Sequence, residues 1–349
     1  MRSEVFLEDN RTEWPLFRTV ESTRNAFLNA GAPVPTVLVA IGGWGDTSFS
    51  KAAQNDTTRK AFARNIAKMV EATGADGVDI DWEYPGGNGE DYKKVPNSEK
   101  EWEIDAYPLL LGEIRAALGS GKLITAAVPG LEEDMIAFTS STVPRIMRHL
   151  DFLNVMTYDL MNRRTNVTKH HSSVEGSRAA LQAYMSRGAS PHKLNLGFGF
   201  YVKWVRTDKE DCAKAESPIG CKTLPLEDPE TGADLGNAGG FSWHDPVPEE
   251  VKESFQRAFL DTQYDFAEGA TYYYDKEEGL WWTYEEGRNG DIAARYKTLV
   301  KEISLGGVFA WGLGEDATSF RRLAYLEDTI KDEKEGVLVD EDTPERDEL

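Results

Sequence analysis

Asp76-Gly77-Val78-Asp79-Ile80-Asp81-Trp82-Glu83-Tyr84-Pro85 is the stretch on which the fold turns. Side chains alternate along a strand, so Asp79, Asp81 and Glu83 share one face, while Val78, Ile80 and Trp82 share the other. Neighbouring carboxylates on that face stand roughly 6–7 Å apart. Like charges so crowded in a low-dielectric site cannot all ionise, and at least one pKa must rise. The fully apolar opposite face argues against a solvated edge strand. No cluster of cations lies nearby in sequence to make the carboxylates a structural ion-pair network.

Moving outward, apolar runs alternate with stretches of helical spacing. Strands are expected at Thr36–Ile41, Gly77–Trp82, Lys122–Pro129, Phe152–Tyr158, Asn195–Tyr201 and Gly307–Leu313. Helices are expected at Val20–Asn29, Thr58–Ala72, Thr142–Leu150, Ser173–Arg187 and Asp291–Ser304. A further helix ending at Gly119 is expected to start at Ser98, with Glu101 completing a capping box. Such alternation gives right-handed parallel β/α units, in a closed (β/α)₈ barrel or a doubly wound sheet. No Gly-x-Gly-x-x-Gly turn follows any strand, which favours the TIM barrel. Residues 203–290 exceed an ordinary connection and read as a small α+β insertion before the last strand. The barrel body is expected over residues 1–325. Only six strands are found, so the barrel should lack its first two, as in a chain cut short or mispredicted at its N-terminus.

The 349 residues carry 39 Lys plus Arg against 60 Asp plus Glu, a net charge of −21. That balance disfavours a nucleic-acid partner, which needs a basic face, and an anionic membrane. No apolar run is long enough to span a bilayer. From Glu327 to Leu349 there are 11 acidic residues and 3 basic ones, so 327–349 reads as a solvated acidic tail.

The tail ends Arg346-Asp347-Glu348-Leu349, close to an endoplasmic-reticulum retrieval signal. Asn10, Asn55 and Asn166 each open an Asn-x-Ser/Thr sequon. These features point to the secretory pathway, either the reticulum lumen or the exterior, although Met1–Asp9 holds no signal core. A lost N-terminal piece would have carried it. Cys212 and Cys221 are either free thiols or, in an oxidising compartment, a disulfide. His170-His171 is not read as a metal site, because adjacent residues on extended chain face opposite ways.

A carboxyl kept protonated near neutral pH is a general acid, the role that glycosidic cleavage demands. Here the sequence resembles the glycoside hydrolase family 18 chitinases, whose signature Asp-x-x-Asp-x-Asp-x-Glu is met by Asp76, Asp79, Asp81 and Glu83. The family's Ser-x-Gly-Gly is similar to Ala40-Ile41-Gly42-Gly43, with Ala in place of Ser. Its Met-x-Tyr-Asp is matched by Met156-Thr157-Tyr158-Asp159, and its last-strand tryptophan by Trp311. The likeness covers roughly residues 36–325, and the insertion is like that of the family's deep-cleft, fungal-type members.

The resemblance implies a retaining, substrate-assisted hydrolysis of β-1,4-linked N-acetylglucosamine, in which no second carboxylate serves as nucleophile and no cofactor or metal is needed. Glu83 would protonate the leaving oxygen while the sugar's own acetamido carbonyl attacks. Asp81 would orient the acetamido group, Asp79 would share a proton with Asp81, and Tyr158 would bind the acetamido oxygen. Asp159, Met156, Trp311, Tyr201, Trp82, Tyr84 and Gly43 are the expected substrate-lining residues. Tyr201 and Trp204 suit core packing equally well, and Trp243, Trp281 and Trp282 suit packing better than sugar stacking. The partner would be chitin or its oligosaccharides, met by a monomer. An endo-β-N-acetylglucosaminidase or an inactive chitin-binding lectin are the alternatives; the insertion disfavours the first and Glu83 the second.

Overall fold

The computed structural model describes residues 1–7, 14, 20–288 and 290–335. Asn10, and the tail from residue 336 on, lie outside them. The chain divides into two units, Met1–Val155 with Leu181–Asn195, and Met156–Ala180 with the residues from Leu196 on.

In the first unit, parallel strands β1 (Leu38–Gly42), β2 (Gly77–Asp81), β3 (Leu123–Pro129) and β4 (Phe152–Met156) lie side by side in that order. The opening residues of β5 (Leu194–Gly199) follow β4. The register sets Ala40 and Thr125 on either side of Asp79, and Gly42 beside Asp81. Helices α1 (Val20–Asn29), α2 (Phe49–Ala53), α3 (Asp56–Thr73), α4 (Trp102–Leu118) and α5 (Val143–Ile146) belong to this unit. Among the described residues no strand precedes β1; Met1 alone pairs with its edge, accepting from the Gly42 N–H at 2.7 Å.

Helix α3 shows how sequence dictates an element. Asn55 accepts from the Thr58 N–H at 3.0 Å, and Thr58 Oγ1 accepts from the Asn55 N–H at 3.1 Å. That reciprocal cap satisfies donors the first turn would otherwise orphan. Gly74, at φ 69°, ends the helix in the left-handed region. Phe62, Ile66, Met69 and Val70 recur at helical spacing and are buried, each stabilising by about 1.5–3 kcal/mol. Helix α4 departs from expectation. Ser98 caps nothing; Asn97–Glu99 form a 3₁₀ turn, and the helix begins at Trp102 after Glu101. Asn97 is instead committed to the loop after β2, accepting from the Asn88 N–H at 3.0 Å.

In the second unit the remainder of β5 neighbours β11 (Gly307–Trp311), the last parallel strand. Between them come β6 (Tyr201–Arg206), β7 (Ala238–Ser242), β8 (Gln263–Asp265), β9 (Ala270–Asp275) and β10 (Leu280–Tyr284). These form an antiparallel sheet in the order β7-β6-β10-β9-β8. Helix α6 (Val174–Ser186) starts in this unit, which also holds α7 (Lys209–Lys214), α8 (Lys252–Leu260), α9 (Asp291–Arg295) and α10 (Arg321–Glu335). This antiparallel sheet occupies the stretch read from sequence as an insertion, with its first strand opening at Tyr201. Phe255 of α8 packs against Trp282 and Tyr284, and this cluster is the insertion's own core. The expected helix over Asp291–Ser304 is split, because α9 gives way to a π-helical turn at Tyr296–Lys301. Residues 327–335, read from sequence as the start of the tail, continue α10.

The largest buried charge in this second unit has an opposite partner. The Arg295 guanidinium pairs with Glu285 and donates to the Gly197 carbonyl at 2.8 Å and to Ser177 Oγ at 2.9 Å. Cys212 and Cys221 form a disulfide with Cα atoms 5.1 Å apart.

Candidate active site

The first unit carries the carboxylates. On β2, Val78, Ile80 and Trp82 are buried, as the alternation demands, and Asp79, Asp81 and Glu83 are half-buried on the other face. Trp82 was expected to line the substrate. It stacks instead on Phe49 at 5.3 Å and meets Tyr107 edge-on, so it is a core residue on the helix side of the sheet. Asp76, the first residue of the signature, lies at the other end of β2. It accepts from the Val37 N–H at 2.7 Å and from Arg24 at 2.6 Å, so its work is structural.

Asp79 is held by neutral donors. Thr125 Oγ1 donates to its Oδ1 from β3, and Asn154 Nδ2 donates to the same atom from β4 at 3.2 Å. Asn195, at the start of β5, donates to Asn154 at 3.1 Å. Burial raises the Asp79 pKa, and these hydrogen bonds offset it only in part. Sequence reasoning missed Thr125, Asn154 and Asn195. Each is a lone polar residue inside an apolar strand run, and Thr125 stands opposite Asp79 in the register.

Asp81 is the most perturbed carboxyl. Burial first, then the neighbouring Glu83 and Asp79 charges, push it up to about 8. Its Oδ1 is buried without a hydrogen-bond partner. An orphaned buried oxygen costs about 1–3 kcal/mol. Backbone geometry keeps the site open on the β1 side. Gly42, at φ 112°, approaches so closely that a Cβ would stand 2.1 Å from the Asp81 carbonyl oxygen. A Cβ on Gly43 would stand 3.5 Å from Asp81 Oδ2, so the expected Gly43 does border the carboxylates. Tyr84 is half-buried, with its ring 6.3 Å from that of Trp44. Trp44, 46% exposed on the loop after β1, is a further residue that no motif singled out. Peptide bonds Glu83–Tyr84 and Trp311–Gly312 are cis.

The second unit carries the remaining expected residues. Asp159, at φ 55°, accepts on Oδ1 from Tyr201 at 2.9 Å and from Lys203 at 2.7 Å. Burial opposes its ionisation, yet the Lys203 ammonium, with His171 and the Tyr201 hydroxyl, holds its carboxyl below the usual range. Its side chain remains 52% exposed. Tyr158 packs edge-on against Tyr201 and Phe309, and Met156 closes β4 half-buried. Trp311 is 57% exposed at the end of β11, and its carbonyl accepts from the Phe200 N–H at 2.8 Å. No motif along the chain singles out Lys203.

Four tryptophans of the second unit belong to its cores. Trp281 and Trp282 are fully buried and donate to the Lys169 carbonyl and Ser254 Oγ. Trp204 is buried in the insertion cluster, and Trp243 is packed against it. His170 bonds Asp265 at 3.0 Å, while His171 lies against the Tyr201 ring.

Parallel β/α units with three stacked carboxylates at the end of one strand, one of them kept protonated near neutral pH, define a barrel glycoside hydrolase. The chain belongs to glycosyl hydrolases family 18, whose profile matches residues 2–316. It is 26% identical over 307 residues to chitinase A1 of Niallia circulans, covering 80% of this chain and 40% of that protein. It thus spans less than half the length of that relative. Among solved structures it is similar to catalytic domain 2 of the Ostrinia furnacalis Group II chitinase. That match has a TM-score of 0.68 and 22% identity, over 90% of this chain and 81% of the other. A substituted family 18 chitinase of Cycas revoluta, solved with (GlcNAc)4, matches at TM-score 0.64 and 20% identity, over 89% of this chain and 86% of that one. These likenesses establish the (β/α)₈ barrel fold, of which the described residues supply six parallel strands.

Proposed function

We propose that this protein is an endo-acting chitinase, cleaving β-1,4-linked N-acetylglucosamine with retention of configuration. The observation that carries the reading is the Asp79–Asp81–Glu83 series, with Asp81 pushed up to about 8 and its Oδ1 left without a donor. A substrate acetamido N–H is the donor that would satisfy this oxygen. Held there, the acetamido carbonyl oxygen attacks the anomeric carbon as Glu83 protonates the departing glycosidic oxygen. The C–O bond to the leaving sugar breaks and an oxazolinium ion forms. Water, deprotonated by Glu83, then opens that ring and restores the acetamido group. Asp79, held by neutral donors, supplies the negative charge that keeps the proton on the Asp81–Glu83 pair.

Tyr158, Asp159 and Trp311 take their roles from the family motifs they match: acetamido oxygen donor, hydroxyl acceptor and apolar floor. The pairing of Asp159 with Lys203 and Tyr201 through Oδ1 supports the second role, since it leaves Oδ2 to a ligand. Trp44 is added as a stacking surface. The chain acts in the secretory pathway and carries N-linked glycan, a reading supported by the sequons and the disulfide.

The test is turnover of N-acetylglucosamine oligomers followed by proton NMR of the newly formed anomer. Wild-type protein should release the β-anomer, and Glu83→Gln should lose turnover while retaining oligomer binding. Turnover at the wild-type rate in Glu83→Gln would sink the mechanism. Release of intact glycans from glycoproteins, with chitin oligomers untouched, would reassign the enzyme as an endo-β-N-acetylglucosaminidase.

A further inference from the structure

We propose that Asn166 is an N-linked glycan acceptor that is modified only before Cys212 and Cys221 join, so that glycan transfer and disulfide closure compete for one segment. This rests on the secretory reading above. Transfer to a sequon needs the Asn amide and the hydroxyl two residues on to be reached together in extended, accessible chain. In the folded protein Asn166 is exposed, but Thr168 is wholly buried. Thr168 Oγ1 donates to the Pro218 carbonyl at 2.5 Å and accepts from the Gly220 N–H at 2.9 Å. The Thr168 N–H donates to the Cys221 carbonyl at 2.8 Å, and the Thr223 N–H donates to the Asn166 carbonyl at 3.0 Å. Val167 pairs with Lys222 between them. The sequon is therefore zipped along both sides to residues 218–223, and the Cys212–Cys221 bridge anchors that segment.

The two ends of the sequon thus have opposite fates. Asn166 lies in an exposed position, where a glycan is accommodated without disturbing the fold, while the hydroxyl that transfer requires is sealed. Modification must come first. In transfer, the Asn166 Nδ2 forms a bond to C1 of a sugar, the C1–O bond to a lipid-linked pyrophosphate breaks, and Nδ2 loses a proton. In closure, two thiols give two electrons and two protons to a disulfide-bearing oxidant of the lumen. Thr168 and Cys221 are 53 residues apart. At roughly 5–20 residues per second the sequon waits about 3–10 s before its partner segment is made. Disulfides form in seconds to hours, so neither event wins outright and occupancy should be partial.

Asn55 is the internal control. Asn55, Asp56 and Thr57 are all exposed, and the helix cap uses Asn55 Oδ1 rather than the nitrogen that would carry sugar. Its occupancy should not depend on the disulfide.

The experiment places the full chain behind a heterologous secretory leader in eukaryotic cells and reads occupancy at Asn55 and Asn166 by glycopeptide mass spectrometry. Wild type is compared with C212S/C221S and with wild type synthesised during a brief dithiothreitol pulse, which needs no variant to fold. Asn166 occupancy should rise about two-fold or more in both, with Asn55 unchanged. Equal Asn166 occupancy with and without the bridge, or none in any sample, overturns the proposal. The leader imposes entry to the lumen. Failure of the secretory reading is thus seen separately, in the location of the chain expressed from its own gene.

Discussion

The Thr125 hydroxyl of β3 donates to Oδ1 of Asp79, the residue directly opposite it in the parallel register of β2. Asn154 reaches the same oxygen from the next strand, so Asp79 is held by neutral partners on two sides. Neutral donors stabilise its charge without cancelling it, and that charge is felt by Asp81.

The pH profile should report this arrangement. Catalysis requires the proton held by the Asp81–Glu83 pair, so kcat/KM should fall as pH rises through about 8. Asp79→Asn removes a like charge that helps to hold the proton on. The basic limb should therefore move to lower pH, by about one unit. Rates on chitin oligosaccharides from pH 4 to 10 decide it, and an unmoved limb would show that Asp79 does not act on Asp81.

Asp81 should also cost stability. Its folded pKa of about 8 lies above the ordinary carboxyl value of about 3.9. Stability from the protonated form is complete below that ordinary value and is lost as pH rises through about 8. Tm should decline over this window. Asp81→Asn should flatten the decline and raise Tm at pH 8 by about 2–4 °C, while abolishing turnover. Calorimetry at several pH values is the check.

Lys203 should govern the acid side. Its ammonium lowers the Asp159 pKa, so Lys203→Met lets that carboxyl take a proton at higher pH. Activity at pH 4–5 should fall more than at pH 7, with kcat/KM down about ten-fold at pH 7. Lys203→Arg should restore most of it. An acid limb unchanged in Lys203→Met would assign the lysine a packing role.

The Glu285–Arg295 pair tests the second unit's core. Arg295→Met leaves Glu285 buried and unpaired, at a cost of about 3–5 kcal/mol. Replacing both residues, Glu285→Gln with Arg295→Met, should recover part of that loss. Urea unfolding midpoints of the two variants measure the difference, and equal midpoints would contradict a coupled pair.

Much of this was legible along the chain. Helix α3 declared its own start and stop, since Asn55, Thr58 and Gly74 act within a few residues of each other. Helix α4 did not. Ser98 and Glu101 have the spacing of a capping box, but the loop after β2 claims Asn97 and forces a 3₁₀ turn. Trp82 misled for a related reason. Its place beside Glu83 suggests the substrate, whereas strand alternation turns it to Phe49 on the opposite face.

The sequence alone determined that Asp79, Asp81 and Glu83 would share one face, because alternation is a local property of extended chain. It also marked Cys212 and Cys221 as a pair nine residues apart, able to close a short loop in an oxidising compartment. Tertiary structure decided which carboxyl keeps its proton and which residues steady the others. Thr125, Asn154 and Lys203 lie 46, 75 and 44 residues from the carboxylates they serve. A pKa is set by burial and by such neighbours from other strands, and no reading confined to one strand contains them.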